Sequence, residues 1–226
     1  PAEIAYWGGY FFYHNRLHRN YQDDISLHYY LLASKDGITI GKRYFKHENN
    51  KEDYPFSPSG HNLYDNNSKL YYCRDFDNIV YQIHEDSVVP RFRINLPNPL
   101  PASMIEERPN EMSLLRSGYS LGITDIYEYG GLLFFRFVKD GYIWSCLYNV
   151  EESKQVYCAK RIKFLDSSLI DTIDGIYKDC FYSILTPEYL DYAFSENPLE
   201  DYPDLFKTYD VEGDNPVIAF YRAVVR

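Results

Sequence analysis

Repetition is what most restricts the fold of this chain. Four times it passes through the same series: an apolar stretch, a short polar turn, a second aromatic-rich stretch, and a third alternating one. The aromatic-rich stretches align by eye as GYFFYHN at 9–15, KLYYCRD at 69–75, GLLFFRF at 131–137 and DCFYSIL at 179–185. The stretches after them align too: YYLLASKDG at 29–37, IVYQIHED at 79–86, IWSCLYNV at 143–150 and PVIAFYRAV at 216–224. Successive starts lie about 60, 62 and 48 residues apart, the spacing of a repeat architecture with insertions. The 25 Tyr and 14 Phe, against 2 Met, are the residue types that fill half-buried strands.

The alternation predicts strands over 3–7, 9–15, 27–33 and 38–45 in the first segment, and over 61–64, 69–74, 79–84 and 88–95 in the next. The third gives 119–129, 132–138, 142–149 and 155–164, and the fourth 172–177, 180–185 and 216–224. Turns fall on residues suited to them, such as Ser34-Lys35-Asp36-Gly37 and Asp140-Gly141. Four-stranded up-and-down units repeated about an axis make a β-propeller, whose blades bury their two apolar faces against neighbours. The expected fold is therefore all-β, a single partial propeller over 1–226 with blades near 1–45, 57–97, 119–165 and 171–226. A β-sandwich is the alternative, but it gives no reason for strands to repeat. Helix enters as insertion: over 102–116, broken or restarted at Pro109, over 186–194 behind Thr186-Pro187, and near Pro203.

A fourth unit of three strands leaves a blade unclosed, and an open sheet edge is a liability. The economical expectation is that the chain continues before Pro1 with a closing strand and one or two more blades. A closed ring of four or five blades is the alternative. The opening Pro1-Ala2-Glu3-Ile4 shows no initiator Met, basic segment or apolar segment, as expected of a processed chain or a piece of a longer one.

The 226 residues carry 23 Lys and Arg against 33 Asp and Glu, a formal charge of −10. That balance argues against nucleic acid, since phosphate contacts need clustered cations. No apolar run approaches the roughly 18 residues of a membrane helix. The four cysteines make neither CxxC nor a Cys/His cluster, so no zinc site is expected. A hairpin pairing Asn149 with Gln155 would place Cys146 opposite Cys158, within reach of a disulfide. Two thiols on a β-ribbon are the alternative reading.

Strand direction sorts the connections. Short turns (8, 65–68, 130–131 and 178–179, then 34–37, 85–87 and 150–154) share one face. The long connections at 16–26, 46–60, 96–118, 165–171 and 186–215 share the other. Long loops on a rigid scaffold are where binding sits. The candidate ligand-binding residues there are Arg16, His18, Tyr21, Tyr54, His61, Asp75, Asp77, Arg108 and Arg116, with Asp23, Glu106 and Glu107 beside them. Arg, carboxylate and Tyr together suit a sugar or small polar ligand.

Signatures of chemistry are weak. His14 and His18 form HxxxH, but on strand and loop without an intervening Glu. Asp75-Phe76-Asp77-Asn78 lacks the Gly and distal Glu of a calcium loop. Neither Gly8-Gly9 nor Gly130-Gly131 opens a helix, and GxSxG is missing. No catalytic residue, metal ligand or cofactor is assigned.

The segment FSPSGHNLYDNNSKLYYCRDFDNIVYQIHEDSVVPRFRINLP at 56–97 and the terminal DNPVIAFYRAVV at 214–225 resemble the six-bladed β-propeller proteins of Bacteroidetes, a family of uncharacterised and often lipid-anchored envelope proteins. The 56–97 segment is similar to the family's blade, with an acidic turn before an outer strand of hydrophobic-Pro rhythm. The 214–225 segment is similar to its C-terminal strand. The family's members are longer, so the chain looks like a C-terminal portion. The resemblance implies a periplasmic or envelope location, which would permit a disulfide. It brings no catalytic signature. Two classes of function follow. One is a non-enzymatic envelope propeller binding a glycan, a small polar ligand or a protein partner on its long-loop face. The other is an enzyme acting on a carbohydrate or metabolite at the axial channel mouth.

Overall fold

A computed structural model describes residues 3–15, 28–47, 57–58, 60–160, 162–164, 167–170, 173–196, 209–210, 213 and 215–222. The described residues form antiparallel sheets with short helices between them. The first sheet contains β1 (Glu3–Trp7), β2 (Tyr10–His14), β3 (Tyr29–Ser34) and β4 (Ile40–Lys46), hydrogen-bonded in chain order. The second sheet repeats that order with β5 (Leu63–Asp65), β6 (Leu70–Tyr72), β7 (Ile79–Ile83) and β8 (Val88–Arg93). The third does so with β9 (Ser120–Tyr129), β10 (Leu132–Lys139), β11 (Tyr142–Asn149) and β12 (Lys154–Ala159). A two-stranded hairpin of β13 (Ile162–Phe164) and β14 (Ser167–Ile170) follows, then a sheet of β15 (Gly175–Tyr177), β16 (Cys180–Leu185) and β17 (Val217–Tyr221). The chain divides into two compact units, one of Pro1–Ile126 with Phe135–Ile143, the other of Tyr127–Phe134 with Trp144–Arg226.

Two details depart from the sequence reading. The strand expected to run to 164 stops at Ala159, and Ile162–Phe164 pairs instead with Ser167–Ile170. The loop expected at 165–171 thus contains a strand of its own, in which Ile170 is of a residue type that favours one. The β11–β12 register also differs. At the turn Asn149 faces Lys154 and not Gln155, because Asn149 Oδ1 accepts the amides of Glu151 and Glu152 at 3.0 and 3.1 Å and tightens the reversal. The register then shifts between Leu147 and Tyr148, leaving Val156 as an extra residue, and Cys146 faces Cys158 after all. Their sulfurs are bonded, with Cα atoms 4.1 Å apart.

The same device recurs in the outer strands of the first two sheets. Pairing skips Gly41 in β4 and Arg91 in β8 just as it skips Val156 in β12. A bulge in the fourth strand of each of these three sheets places one more residue there than its neighbour pairs and adds twist.

The core of the first unit lies between its first two sheets. Phe12, Leu31 and Ala33 meet Leu63, Leu70, Tyr72 and Ile83, with Trp7, Tyr44 and Tyr81 closing the margin. In β6 all three residues are buried, so Tyr71 and Tyr72, on opposite faces, are both covered. The 94–119 insertion is tied at its base: Ser120 N donates to Asn98 O, Leu100 N to Ser120 O and Asn98 Nδ2 to Gly118 O. It carries α1 (Ala102–Glu106) and α2 (Glu111–Leu115), separated by Pro109 as expected. Asn110 caps α2 by accepting from Ser113 N at 2.9 Å, and Leu114 anchors it against Leu121 and Val138. The helix behind Thr186 is α3 (Pro187–Glu196), whose Leu190 and Ala193 pack on Leu185. The helix expected near Pro203 lies outside the described residues. No helix among the described residues is long and apolar enough to cross a membrane.

One glycine joins the second and third repeats. Gly122 in β9 has φ +97°, and a Cβ there would lie 2.6 Å from the Phe76 backbone. Its neighbour Ile123 donates to Asp77 O at 3.0 Å, so β9 begins against the loop between β6 and β7. Gly122→Ala combines left-handed strain with a backbone clash and should destabilise the chain by roughly 2–4 kcal/mol. Gly130→Ala, also at positive φ but in open space, should cost only about 1 kcal/mol. Urea denaturation of the two variants measures the contrast; equal losses would deny the close approach at Phe76. For the cysteines, thiol titration of the unreduced, denatured chain should find two groups, Cys73 and Cys180, and four after reduction.

Candidate functional site

In the first two sheets and the last the short turns share one end of the strands and the longer connections the other, whereas in the third the two-residue turn Asp140-Gly141 between β10 and β11 lies at the longer-connection end. In the first two sheets the long-connection end holds the start of β1, the ends of β2 and β4, the start of β3, and the 73–78 loop between β6 and β7. Polar side chains gather there around Asn62, only 4% exposed and just ahead of β5. Its backbone N–H donates to Glu3 Oε2 at 2.6 Å, and the Leu63 N–H donates to the same oxygen at 3.0 Å. Its side-chain amide donates to Cys73 O at 2.9 Å and to Asp75 Oδ1 at 3.2 Å. Ser57 Oγ donates to that Asp75 oxygen at 2.6 Å. His61 Nδ1 stands 3.5 Å from Glu3 Oε1, a contact that becomes an ion pair when His61 is protonated. One neutral amide residue thus holds two carboxylates in place, Glu3 from the first sheet and Asp75 from the second sheet.

Asp77 serves the loop itself. Its Oδ1 accepts the amides of Asn78 and Ile79, while Oδ2 accepts Arg74 Nε at 3.0 Å and Nη2 at 2.7 Å. Arg74 in turn lies 5.8 Å from the Tyr30 ring centre and 5.4 Å from that of Phe45. Phe45 takes φ +58°, outside ordinary strand geometry, and its ring lies 5.6 Å from Tyr72 and 4.5 Å from Tyr81. The carboxylate opposite Arg74 raises the guanidinium's pKa against the opposing effect of burial. A permanently charged group between two rings, fixed by a carboxylate, is a stiff arrangement.

Of the expected binding residues, the structure brings His61 and Asp75 into one group and places Asp77 beside it as the clamp on Arg74. Arg108, at φ +51°, and Arg116, at the C-terminus of α2, are exposed on the 94–119 insertion. Glu106 and Glu107 are exposed on that insertion too. Arg16, His18, Tyr21, Asp23 and Tyr54 lie outside the described residues. Sequence reasoning did not pick out Glu3, Asn62, Ser57 or Arg74. For Asn62 a signal existed, because Asn is disfavoured in strands and one at a strand entrance calls for a side-chain role. Glu3 offered none, reading as the first residue of an alternating strand. Among the described residues no cluster of three or more His, Cys, Asp or Glu side chains is placed to hold a metal.

Burial governs the ionisable groups behind this end. The Cys73 thiol is pushed up by burial, which keeps it in the protonated, unreactive form. Burial likewise pushes the Tyr72 phenol well above its usual range, with its oxygen 3.2 Å from His14 Nδ1. In the other unit burial pushes Tyr221 up to about 12. A phenol whose folded pKa is raised binds its proton more tightly in the native chain. For Tyr221 that contribution to stability is complete below about pH 10 and is lost as pH rises towards 12. Phenolate absorbance against pH should show the late tyrosines ionising together with loss of structure. Complete ionisation by pH 11 in a folded chain would contradict their burial.

Known proteins share this arrangement of sheets. The profile of a 6-bladed beta-propeller family matches residues 5–168, which takes in the blade-like segment at 56–97 and stops short of the terminal segment at 214–225. The crystal structure of a presumed exported protein from Bacteroides fragilis superposes with a TM-score of 0.73 at 15% identity, covering 96% of this chain. The chain spans 64% of the length of that protein. No curated protein matches it. Repeated four-stranded antiparallel sheets and a profile match across most of the chain lead to one conclusion: the chain belongs to the six-bladed β-propeller family.

Proposed function

We propose that this chain is part of a non-enzymatic envelope propeller that binds a polar ligand, best fitted by a glycan, at the long-connection end of its sheets. A small polar ligand or a protein partner falls within the same reading. The observation that carries it is the group of Glu3, His61, Asn62 and Asp75, flanked by Arg74 between Tyr30 and Phe45. Sugar recognition needs fixed acceptors for hydroxyls and aromatic carbon for the ring faces, and both occur here. Each carboxylate accepts hydrogen bonds from neutral donors, which holds it as an oriented acceptor and favours binding over turnover. The four sheets are read as four blades of one ring, with borders near 1–45, 57–97, 119–165 and 171–226. An envelope location is supported by the presumed export of the Bacteroides fragilis protein and by the bonded Cys146 and Cys158, since disulfides persist in oxidising compartments.

A glycan array with the 226-residue chain, followed by calorimetry on the best hit, tests the reading. His61→Ala should weaken binding at least ~10-fold without moving the thermal midpoint, because the His61 side chain is 69% exposed. Indifference of every hit to His61→Ala would move the site elsewhere. Stoichiometric metal on the purified chain, or turnover of a bound glycan, would favour the enzyme.

A further inference from the structure

The unit formed by Tyr127–Phe134 and Trp144–Arg226 carries a cleft of its own, of about 260 Å³. It opens at the short-turn end of the strands, where Gly130 turns β9 into β10 and Asp179 turns β15 into β16. Aromatic rings line it. Phe181 is buried and stands edge-on to Tyr129, 6.5 Å between centres at 87°, while Tyr129 keeps 37% of its surface exposed. Tyr221 closes the wall from the last strand. At the rim Arg222 pairs with Asp179, and both side chains face water, 71% and 49% exposed.

These features restrict the ligand. The volume falls below the roughly 300–1,000 Å³ of pockets for drug-sized molecules, so one ring fits and a nucleotide does not. The rim pair is neutral overall on a chain of net charge −10. An anion would have to displace Asp179 within a negative field, and a cation would have to displace Arg222. A neutral polyol displaces neither. Vicinal hydroxyls can donate to Asp179 and accept from Arg222 while a C–H face lies on the Tyr129 ring.

We propose that this cleft is a further binding site, taking a single neutral pyranose unit between Tyr129 and the Asp179–Arg222 pair. It stands on different residues from the group around Asn62 and does not depend on that group being a site.

Saturation-transfer NMR on the 226-residue chain with a panel of methyl pyranosides tests it. At least one should receive transfer at millimolar concentration, strongest at protons of one ring face, as stacking on Tyr129 requires. Tyr129→Ala and Arg222→Ala should each weaken that binding ~10-fold or more, while His61→Ala leaves it unchanged. Arg222→Lys keeps the charge but loses the planar fork, and should fall between wild type and Arg222→Ala; it also supplies the measurement if Tyr129→Ala fails to fold. No transfer to any pyranoside, transfer in the His61→Ala chain that neither Arg222 variant diminishes, or loss with His61→Ala alone would overturn the proposal.

Discussion

The described sheets depend on strands such as β6, β9 and β10 that are buried on both faces. A strand with one wet face alternates; β6 does not, and Leu70, Tyr71 and Tyr72 are all buried. Such a strand needs cover on each side, and a single sheet cannot provide it. Stacking sheet on sheet does, which is why the sequence repeats: each copy supplies one layer and requires the next. Fully burying a side chain of this size is favourable by about 1.5–3 kcal/mol. The seven residues at the centre of the first interface therefore outweigh any single polar contact in the unit.

Stacked layers must also be held in register, and polar residues do this at the long-connection end. Glu3 belongs to the first sheet but accepts the two amides that open the inner strand of its neighbour. Asp77 belongs to that neighbour, and its carbonyl receives the amide of Ile123 as β9 begins. Gly122 lets the backbones meet there, since any side chain would strike Phe76. Sheet faces supply most of the energy but little directional information. These contacts supply the direction, each using a backbone amide that would otherwise remain unpaired at the entrance of a strand.

The sequence made the layers legible and left the joints unread. KLYYCRD and GLLFFRF stand out because two buried faces produce an unbroken apolar run, which few other structures require. The Pro109 break between α1 and α2 was legible because proline removes a donor. The bulges at Gly41, Arg91 and Val156 were not, since a bulge is a property of two strands and no single residue type announces it. The β11–β12 register shows the result: a turn displaced by one residue is compensated by Val156, so Cys146 and Cys158 face each other by a different route from the one expected. Asp75 and Asp77 were picked out by their loop, yet their roles diverge through partners remote in sequence, Asn62 for one and the amide of Ile123 against the backbone of the other.

The two ends of the strands then differ in kind. At the long-connection end the carboxylates of Glu3, Asp75 and Asp77 are already engaged by amides, Ser57 and Arg74, so much of their polar capacity maintains the scaffold. The result is rigidity: acceptors held in fixed orientations and rings held by an aromatic cluster. At the short-turn end of the last sheet Asp179 and Arg222 pair on the surface, where solvent screening makes an ion pair weak. A weak pair is easily shared with hydroxyl groups. The difference follows from how deeply each carboxylate lies: Glu3 and Asp77 keep 17% and 13% of their side-chain surface, Asp179 49%.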